Sequence, residues 1–353
     1  IELLPKHDME IVEKAISFSQ KIHSGENRYD GQPKILHLLN VATLTYEAGL
    51  DTTSVMAALL HEIDISEYAE QFITKELGSE VLNIIKDIKS IKKATDAPDT
   101  PDEIINKYIL NSNKDLRGLI IKILDTFEDM KTISYVPLEK RKDSLRKALS
   151  IYSPLAEYLD LNETKKEMDE NAFKEYLPNE YESISKRMKE KGVDEELLNQ
   201  YFNTLSLIMK DLHFPKRIEG RIKSKYSIYN KLKKYEKEWI SPEIERVPDL
   251  IAFRILTDTE DSCFHILEKL MDAGEMDYDK FDDYISNPKP NGYKAVQFPM
   301  TFGSISDIEV EVQILTNDMH YFNTYGPASH IAYKASKSRY AKPSNKYDWV
   351  EDV

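Results

Sequence analysis

The sequence predicts a multidomain protein with an all-α first half followed by an α/β (α+β) domain. The chain has 353 residues, more than one typical hydrophobic core can serve, so two or three domains are expected. Apolar residues recur at helical spacing through most of residues 8–160. From residue 213 onward, strand-like segments alternate with helical ones, which is typical of an α/β or α+β domain. We therefore expect domains at residues 1–155 and 213–345, joined by a charged helical bundle at residues 156–212.

The composition argues against several classes of function. The formal net charge is −14, which disfavours broad nucleic-acid binding because a phosphate backbone attracts a basic surface. The single cysteine, Cys263, permits no internal disulfide and fits a reducing cytoplasm. No apolar run approaches membrane-spanning length, and no secretory signal is evident, so no membrane partner is expected. A chain that begins at Ile1 and ends at Val353 is expected to be a piece of a longer protein.

The first half divides into helices at recognisable breaks. A helix is expected at residues 35–50, where apolar residues recur at helical spacing. Asp51 has the position and the side chain to cap a further helix at residues 55–63. Residues 94–101 are rich in Pro, Asp and Thr and predict a loop, and residues 116–130 predict another apolar helix.

Polar residues within these apolar helices are the first indication of a functional site. His37, the pair His61-Glu62 and Asp125 each lie in an apolar segment, where a buried polar group needs a partner. A single histidine of this kind is most often a core residue bonded to a carbonyl group. Three segments that each offer imidazole nitrogens or carboxylate oxygens favour a divalent metal ion instead.

The last part of the chain concentrates cations that its acidic composition does not predict. Residues 218–234 carry six of them, at Arg221, Lys223, Lys225, Lys231, Lys233 and Lys234. A basic helix can be plain surface. Gly220 and Ser227 among the cations also allow an element that holds phosphate groups.

A buried strand and two helices are expected around that basic segment. Residues 248–256 are apolar enough for a central strand, and the charges of Asp249 and Arg254 within it need a role or a partner. Residues 261–273 predict a helix, and a last helix is expected around residues 320–333.

A turn-rich stretch at residues 280–297 separates that strand from two more. Its Pro-Lys-Pro-Asn-Gly run rules out an ordinary helix, because proline lacks a backbone donor and glycine permits positive φ. Residues 293–298 and 308–314 then alternate as strands, and the second places Glu309, Glu311 and Gln313 on one face. A hairpin with a solvated polar side explains this pattern. Carboxylates beside a turn that carries Lys289 and Tyr293 equally suit a metal–nucleotide site.

The motifs of both halves, taken in order, resemble those of one protein family. The last part is similar to the synthetase domain of the RelA/SpoT homologue family through GRIKSKYSIYNKL, PDLIAFRI, FDDYISNPKPNGYKAV and VEVQILT with MHYFNTYG. The first half resembles the HD hydrolase domain of that family through HSGENRYDGQPKILHLLNVA, AALLHEID and ILDTFEDM. The resemblance implies an all-α HD-type domain followed by a nucleotidyltransferase-like synthetase domain. Family members make or degrade the alarmones ppGpp and pppGpp, and the long members carry a regulatory half after these domains.

The resemblance implies an enzyme that moves a pyrophosphoryl group from ATP to the 3′-hydroxyl of GDP or GTP and releases AMP. It implies that Asp249 and Glu311 hold Mg²⁺ and that Glu311 is the base, roles that suit carboxylates. The implied ATP-binding residues are Arg221, Lys223, Ser227, Lys231 and Arg254. The implied GDP- or GTP-binding residues are Lys289, Asn291, Tyr293 and Gln313, with Tyr293 stacked on guanine.

The acidic loop before DYI favours a synthetase-only protein. In this family the loop is basic in bifunctional members and acidic in synthetase-only members, and here it carries Asp282 and Asp283. Asp283 is therefore expected to help retain a second Mg²⁺. Three positions depart from the family near the acceptor site, where Gln297, Leu315 and Thr324 replace a usual His, Arg and Glu. Altered turnover or a different choice between GDP and GTP is expected from these changes.

The HD half departs further from the family. His37, His61 and Asp125 match its metal ligands, and Glu62 replaces an aspartate, a set that suits Mn²⁺ or a similar ion. The acidic pair that follows the HD dipeptide in the family falls at Ile65-Ser66, and Glu128-Asp129 replace part of its RLHN motif. Neither Ile nor Ser can act as a carboxylate. The sequence therefore predicts a pseudo-hydrolase that still binds a metal.

Two other functions stay open at this point. One is a metal-dependent (p)ppGpp 3′-pyrophosphohydrolase, or a bifunctional enzyme, that uses Glu62 in an adapted site. The other is a non-catalytic nucleotide sensor, which Gln297 and the acidic net charge allow. The expected partners are ATP, GDP or GTP, and (p)ppGpp. Ribosome and tRNA are further expected partners, through a C-terminal region outside this sequence.

Overall fold

The described part of the chain forms two compact units, which divide between Tyr176 and Leu177. The computed structural model describes residues 6–95, 115–159, 161–244, 247 and 249–325. None of the helices in these ranges combines the length and the apolar character needed to cross a bilayer. The first described part is helical and the second is a mixed sheet with helices, so the predicted fold class is confirmed. The three domain limits expected from the sequence stay a prediction.

The described part of the first unit consists of helices. Its α-helices are α1 (Lys6–Ile22), α2 (Lys34–Glu47), α3 (Thr52–Leu60), α4 (Glu67–Phe72), α5 (Ser79–Thr95), α6 (Arg117–Lys131), α7 (Leu138–Lys147), α8 (Ser153–Tyr158) and α9 (Asn162–Tyr176). Two π-helical turns, Ile73–Leu77 and Ala148–Tyr152, and a 3₁₀ turn, Ile133–Tyr135, lie between them.

Helix α3 lies at the centre of the first unit. Every residue from Ser54 to Leu60 is buried, because α1, α2, α5 and α6 all pack against this helix. Asp51 caps it as the sequence predicts, and its side chain accepts a hydrogen bond from the Ser54 N–H at 2.9 Å. Helix α3 is therefore held between its neighbours, and its C-terminal end lies directly before His61.

Two expectations for this unit need correction. Helix α3 ends at Leu60, so His61 is its C-cap and Glu62 lies in the following turn, not on an apolar helix. The reason is local, because the His61 ring bonds back to a carbonyl of the last turn. The loop expected at residues 94–101 begins later, since α5 continues through Thr95. The rest of that loop lies outside the described residues.

The second unit combines a mixed sheet with helices. Its helices are α10 (Pro178–Glu190), α11 (Glu195–Ile208), α12 (Lys225–Lys237), α13 (Glu260–Ala273) and α14 (Asn317–Tyr325). Its strands are β1 (Lys216–Ile222), β2 (Ile251–Thr257), β3 (Glu275–Met276), β4 (Asp282–Asp283), β5 (Val296–Phe302) and β6 (Ser306–Thr316). The expected helix at residues 261–273 is thus α13, and the expected hairpin is β5–β6.

The sheet has the order β1-β2-β6-β5-β3, with β4 also paired to β5. Only β2 and β6 run parallel to each other, and the other described pairs are antiparallel. One face is apolar and buried under α11 and α13, with Phe253, Val312 and Phe298 among its residues. Tyr201 of α11 lies in this core and donates a hydrogen bond to the Ile308 carbonyl oxygen at 2.8 Å. The opposite face is left for polar side chains.

Several predicted boundaries move in the second unit. Strand β2 begins at Ile251, so Asp249 lies in the turn before it. Strand β5 begins at Val296, so Tyr293 also precedes its strand, because residues 289–293 form a tight turn. The basic segment 218–234 is not one helix but β1 followed by α12. Helix α14 covers the start of the helix expected around residues 320–333, whose later residues lie outside the described part.

Candidate functional site

The polar face of the sheet gathers several of the residues expected to bind nucleotides or Mg²⁺. Residues opposite each other on paired strands point to the same face. One row across the sheet contains Arg221, Ala252, Glu311 and Pro299. The next row contains Glu219, Arg254, Gln313, Gln297 and Asp282. The strand register therefore brings together side chains from five strands that are far apart in sequence.

Glu311 lies in the middle of this face with an altered acidity. Burial raises the pKa of its carboxyl group, and the nearby Asp249 carboxylate raises it further. A hydrogen bond from Gln313 and the charge of Arg221 act in the opposite direction without cancelling the rise. Glu311 is therefore a better proton acceptor than an exposed glutamate.

Asp249 is held at the edge of the same face by a lysine. The Lys223 Nζ lies 2.5 Å from Asp249 Oδ2, and both side chains are largely buried. The backbone supports this pair, since the Lys223 N–H donates to the Leu250 carbonyl oxygen at 2.9 Å. Asp249 and Glu311 offer two carboxylates, which suits Mg²⁺ because that ion is usually held by one or two carboxylates together with substrate phosphates.

The other residues expected at the ATP site follow from β1 and α12. Arg254 reaches across to Glu219, with Nη1 3.5 Å from Oε2. Ser227 lies in the first turn of α12, where its N–H is capped by Ser224 at 3.2 Å. Lys231 lies one turn further along the helix. A helix start with a nearby lysine is a suitable place for phosphate groups.

The turn before β5 carries three of the residues expected to bind the acceptor nucleotide, Lys289, Asn291 and Tyr293. The Gly292 N–H donates to the Lys289 carbonyl oxygen at 2.7 Å, and Gly292 has φ +83°, a conformation that favours glycine. Asn291 supports the turn, because its side-chain oxygen accepts a hydrogen bond from the Tyr293 N–H at 3.2 Å. Burial and the charge of Glu311 raise the pKa of Tyr293 to about 12, so this residue stays a neutral phenol. The Asn291 side chain thus stabilises this turn, in addition to its expected role in binding GDP or GTP.

Tyr284 is a site residue that sequence reasoning missed. The Lys289 ammonium group lies 4.2 Å from the centre of the Tyr284 ring and 5.0 Å from that of the Tyr293 ring. The two rings meet edge to face with their centres 6.0 Å apart. A cation between two aromatic faces is attracted by both. The signal in the sequence was weak, since Tyr284 is nine residues from Tyr293 and shares no helix or strand with it.

The acidic pair of β4 divides between the two faces of the sheet. Asp282 is opposite Gln297, whose Nε2 donates to Asp282 Oδ2 at 3.2 Å. Asp283 is opposite Val296 on the other face, and its Oδ1 accepts the N–H groups of the next turn at 3.0 and 2.9 Å. The structure therefore does not place Asp283 with Asp249 and Glu311 for a second Mg²⁺. The alternation of a strand separates the two carboxylates.

A separate cluster in the first unit fits a metal ion. His37, His61, Glu62 and Asp125 each offer a ligand atom, and these atoms all lie within 4.8 Å of one another. Nε2 of His37 and Nε2 of His61 lie 3.0 and 3.1 Å from Asp125 Oδ1. Among the described residues, these four side chains form the group that could hold a metal ion. The four ligands expected from the sequence therefore meet at one place.

The hydrogen bonds of His61 support a metal site. Its Nδ1 donates to the Ala58 carbonyl oxygen at 2.7 Å, which fixes the ring and directs Nε2 towards the other ligands. That Nε2 atom is buried and lies 3.1 Å from Asp125 Oδ1 without the geometry of a hydrogen bond. Burial lowers the pKa of His61, but the Asp125 carboxylate more than compensates, so the net pKa is raised. A metal ion would satisfy both the nitrogen and the carboxylate.

Two lysines next to this cluster also escaped the sequence analysis. Lys122 Nζ lies 2.5 Å from Asp125 Oδ2, and Lys34 Nζ lies 2.9 Å from Glu62 Oε2. Burial alone would raise the pKa of Asp125, but Lys122 and His61 hold it well below its usual value. The spacing could have revealed Lys122, which lies three residues before its partner Asp125, but not the contact of Lys34 with the distant Glu62.

Among the described residues, the acids next to these ligands in sequence are exposed or already paired. Ser66 caps α4, where its Oγ accepts the Ala69 N–H at 3.3 Å, and Asp64 is exposed. Asp129 pairs with Arg28, whose Nη2 lies 2.5 Å from Asp129 Oδ1. The Arg28 guanidinium is thus already paired with a carboxylate of the chain itself.

Comparisons with known proteins match both units. The model for the region found in RelA / SpoT proteins matches residues 220–338, and an HD-domain model matches residues 15–161. The two matches together cover the sheet with its polar face and the helices that carry the metal-ligand cluster.

Curated relatives are similar along nearly the whole chain. A GTP pyrophosphokinase of Myxococcus xanthus is 29% identical over 356 residues, which cover 99% of this chain and 46% of the relative. The bifunctional (p)ppGpp synthase/hydrolase SpoT of Escherichia coli (strain K12) is 30% identical over 335 residues, 94% of this chain and 47% of the relative. The chain thus spans about half the length of these curated relatives. A solved structure, the small alarmone synthetase 1 of Bacillus subtilis bound to its product pppGpp, is 26% identical with a TM-score of 0.32 and covers 41% of this chain and 76% of that one.

Proposed function

The chain belongs to the RelA/SpoT family, and we propose that its second unit transfers a pyrophosphoryl group from ATP to the 3′-hydroxyl of GDP or GTP in the cytoplasm. The observation that carries this proposal is the polar face of the sheet. It combines Glu311, which has a raised pKa, with the nearby carboxylate of Asp249 and with the cations Arg221 and Arg254. Such a face can bind polyphosphate and accept a proton at the same place.

The donor nucleotide would bind along β1, β2 and the start of α12. Arg221 and Arg254 are on this face, and planar guanidinium groups suit stacking on adenine. Lys223, Ser227 and Lys231 would bind the phosphates. Asp249 and Glu311 would hold Mg²⁺, which neutralises phosphate charge when bound.

The acceptor nucleotide would bind at the turn before β5. Tyr293 offers its ring to guanine, and Lys289 offers a cation to the acceptor phosphates. Gln313 hydrogen-bonds Glu311 and would orient its carboxylate. The 3′-hydroxyl oxygen attacks the β-phosphorus of ATP, the bond from that phosphorus to the oxygen of the α-phosphate breaks, and AMP leaves. Glu311 accepts the hydroxyl proton.

For the first unit we propose a domain that binds a divalent metal such as Mn²⁺ but hydrolyses ppGpp poorly. The metal-ligand cluster supports binding. The pairing of Arg28 with Asp129 and the cap made by Ser66 argue against rapid hydrolysis. The second candidate function is a 3′-pyrophosphohydrolase in a bifunctional enzyme, and the intact cluster is the observation that favours it. An interaction with the ribosome and tRNA stays a prediction.

One experiment separates these functions. The purified chain is incubated with Mg²⁺, ATP and either GDP or GTP, and separately with ppGpp and Mn²⁺, and the nucleotides are resolved by anion-exchange chromatography. We expect ppGpp or pppGpp with equimolar AMP in the first reaction and little pyrophosphate in the second. Glu311→Gln should abolish synthesis, whereas Glu309→Gln, the same change two residues away, should not. Rapid pyrophosphate release would establish the second candidate function. If neither reaction proceeds, the non-catalytic nucleotide sensor is the function that remains.

A further inference from the structure

Lys34 has an unusual place beside the metal-ligand cluster. It is the first residue of α2, one turn before the ligand His37, and its Nζ lies 2.9 Å from Oε2 of the ligand Glu62. Its Nζ also lies 3.1 Å from Glu26 Oε2. The lysine therefore bridges a ligand of the cluster to a carboxylate that is not part of it.

The surrounding contacts hold Lys34 in this position. Glu26 is fixed by a buried histidine, since His23 Nδ1 lies 3.0 Å from Glu26 Oε2. The backbone adds a further tie, because the Lys34 N–H donates to the Glu26 carbonyl oxygen at 3.0 Å. The contact between Lys34 and Glu62 is thus part of a network and not an isolated surface pair.

Both carboxylates of the cluster already have an ammonium partner. Glu62 and Asp125 supply two negative charges, and Lys34 and Lys122 supply two positive charges within ion-pair distance of them. A divalent cation is usually held by carboxylates whose charge it neutralises. Here each carboxylate has an ammonium partner, and an added ion would be repelled by both lysines.

The two lysines differ in their freedom to leave. The side chain of Lys122 is 12% exposed and lies against the Tyr152 ring, with Nζ 5.8 Å from the ring centre. The side chain of Lys34 is 23% exposed, and Glu62 is 30% exposed, so this pair can open towards solvent. Of the two contacts, the one with Lys34 is the one that an incoming ion can displace.

We propose that Lys34 competes with a divalent metal ion for Glu62. The inference rests on the metal site proposed for the first unit. In the absence of metal, Lys34 holds the Glu62 carboxylate. Metal binding requires this ion pair to open. The cluster therefore binds a metal ion more weakly than it would if all four ligands were free. Lys34 thereby sets the metal concentration at which the cluster is filled.

The test is the affinity of the whole chain for Mn²⁺, measured by titration calorimetry after chelator treatment. Lys34→Met keeps the length of the side chain and removes its charge, and it should tighten Mn²⁺ binding about tenfold, which is about 1.4 kcal/mol. Lys34→Arg keeps the charge and should bind Mn²⁺ as the unchanged chain does. Lys86→Met, which removes an exposed lysine from its pair with Glu70, is the matched control and should change nothing.

A second pair of variants tests the competition itself. Glu62→Gln should weaken Mn²⁺ binding more in the Lys34→Met background than in the unchanged chain, because only there is Glu62 free of its competitor. Circular dichroism establishes that each variant is folded. Unchanged or weaker binding by Lys34→Met would overturn the inference.

A separate variant tests whether the metal site itself exists. His61→Ala should lose Mn²⁺ binding. If it binds Mn²⁺ like the unchanged chain, the proposed metal site is wrong and the inference falls with it. If His61→Ala loses binding and Lys34→Met gains none, the metal site stands and only the role of Lys34 is wrong.

Discussion

The hydroxyl group of Tyr293 donates a hydrogen bond to Oε1 of Gln297 at a distance of 3.3 Å. Nε2 of Gln297 donates in turn to Asp282 at 3.2 Å, so the ring is tied to β5 and β4. The middle member is an amide, which does not gain or lose a proton near neutral pH. The two hydrogen bonds hold Tyr293 in one orientation.

Tyr293→Ala should weaken binding of GDP or GTP much more than binding of ATP. Stacking of a base on an aromatic ring contributes roughly 1–3 kcal/mol, and Ala removes the ring. Tyr293→Phe should have a mild effect, because the ring remains and only a long hydrogen bond is lost. Titration calorimetry with each nucleotide checks the prediction. An equal loss for ATP and for the guanine nucleotide in Tyr293→Ala would contradict the assigned pocket.

The rate of synthesis should fall on the acid side at a higher pH than an ordinary glutamate would cause. Burial and Asp249 raise the pKa of Glu311 above its ordinary 4.5, and a base must be deprotonated to act. The rate should therefore rise as pH increases through that raised pKa and then level off. Single-turnover rates between acid and neutral pH measure this rise, which is the acid limb of the pH–rate profile.

Two glutamine variants serve as controls for that measurement. Glu311→Gln should lose about 10²–10⁴-fold in rate and show no such limb. Glu309→Gln should keep it, since Glu309 pairs with Lys280 and not with Asp249. A limb that persists in Glu311→Gln would assign the base to another residue.

Gly220→Ala should destabilise the second unit by about 1–3 kcal/mol. A Cβ atom at this position would lie 2.6 Å from Cε1 of Phe253 and 3.2 Å from Leu198, in the core beneath β1. Gly303→Ala is the matched control, because a Cβ atom there meets nothing within 4 Å. Denaturant unfolding of both variants checks the difference. Equal free energies of unfolding for the two variants would show that β1 can move to make room for the added methyl group without a loss of stability.

The parts of the fold that the sequence predicted depend on local patterns. The cap at Asp51 and the alternation of residues 308–314 are set by neighbours in the chain, and both are confirmed. Which of Asp282 and Asp283 shares the polar face with Glu311 depends on the register of β4 against β5, and no local pattern reveals that register.

The least predictable contacts are those that cross between distant segments. Lys34 meets Glu62, and Lys289 reaches Tyr284, only because turns bring separate elements together. The motifs indicated which residues carry chemistry, but not which charges already neutralise them. For this reason the sequence suggested a free metal site, whereas the structure shows each of its carboxylates paired with a lysine.

Metal should stabilise the first unit without making it an efficient hydrolase. A ligand that binds only the folded state raises the free energy of unfolding by RT ln(1 + [L]/Kd), about 2.7 kcal/mol at one hundred times Kd. Saturating Mn²⁺ should therefore raise the melting temperature of the chain, and a chelator should reverse the rise. His61→Ala removes a ligand held in place by the Ala58 carbonyl oxygen, so its melting temperature should not respond to Mn²⁺.

The same variant decides between a structural and a catalytic metal. Metal-bound water still needs a carboxylate to take its proton, and Ile65 and Ser66 offer none. Release of pyrophosphate from ppGpp should therefore be slow in the unchanged chain and no different in His61→Ala, measured with Mn²⁺ by phosphate detection after pyrophosphatase treatment. Rapid Mn²⁺-dependent release that disappears in His61→Ala would mean that another carboxylate has taken over the proton transfer. Asp64 and Glu62 are the two acids close enough in sequence to test, each by change to its amide, and loss of release with unchanged Mn²⁺ binding would identify the group that makes the chain bifunctional.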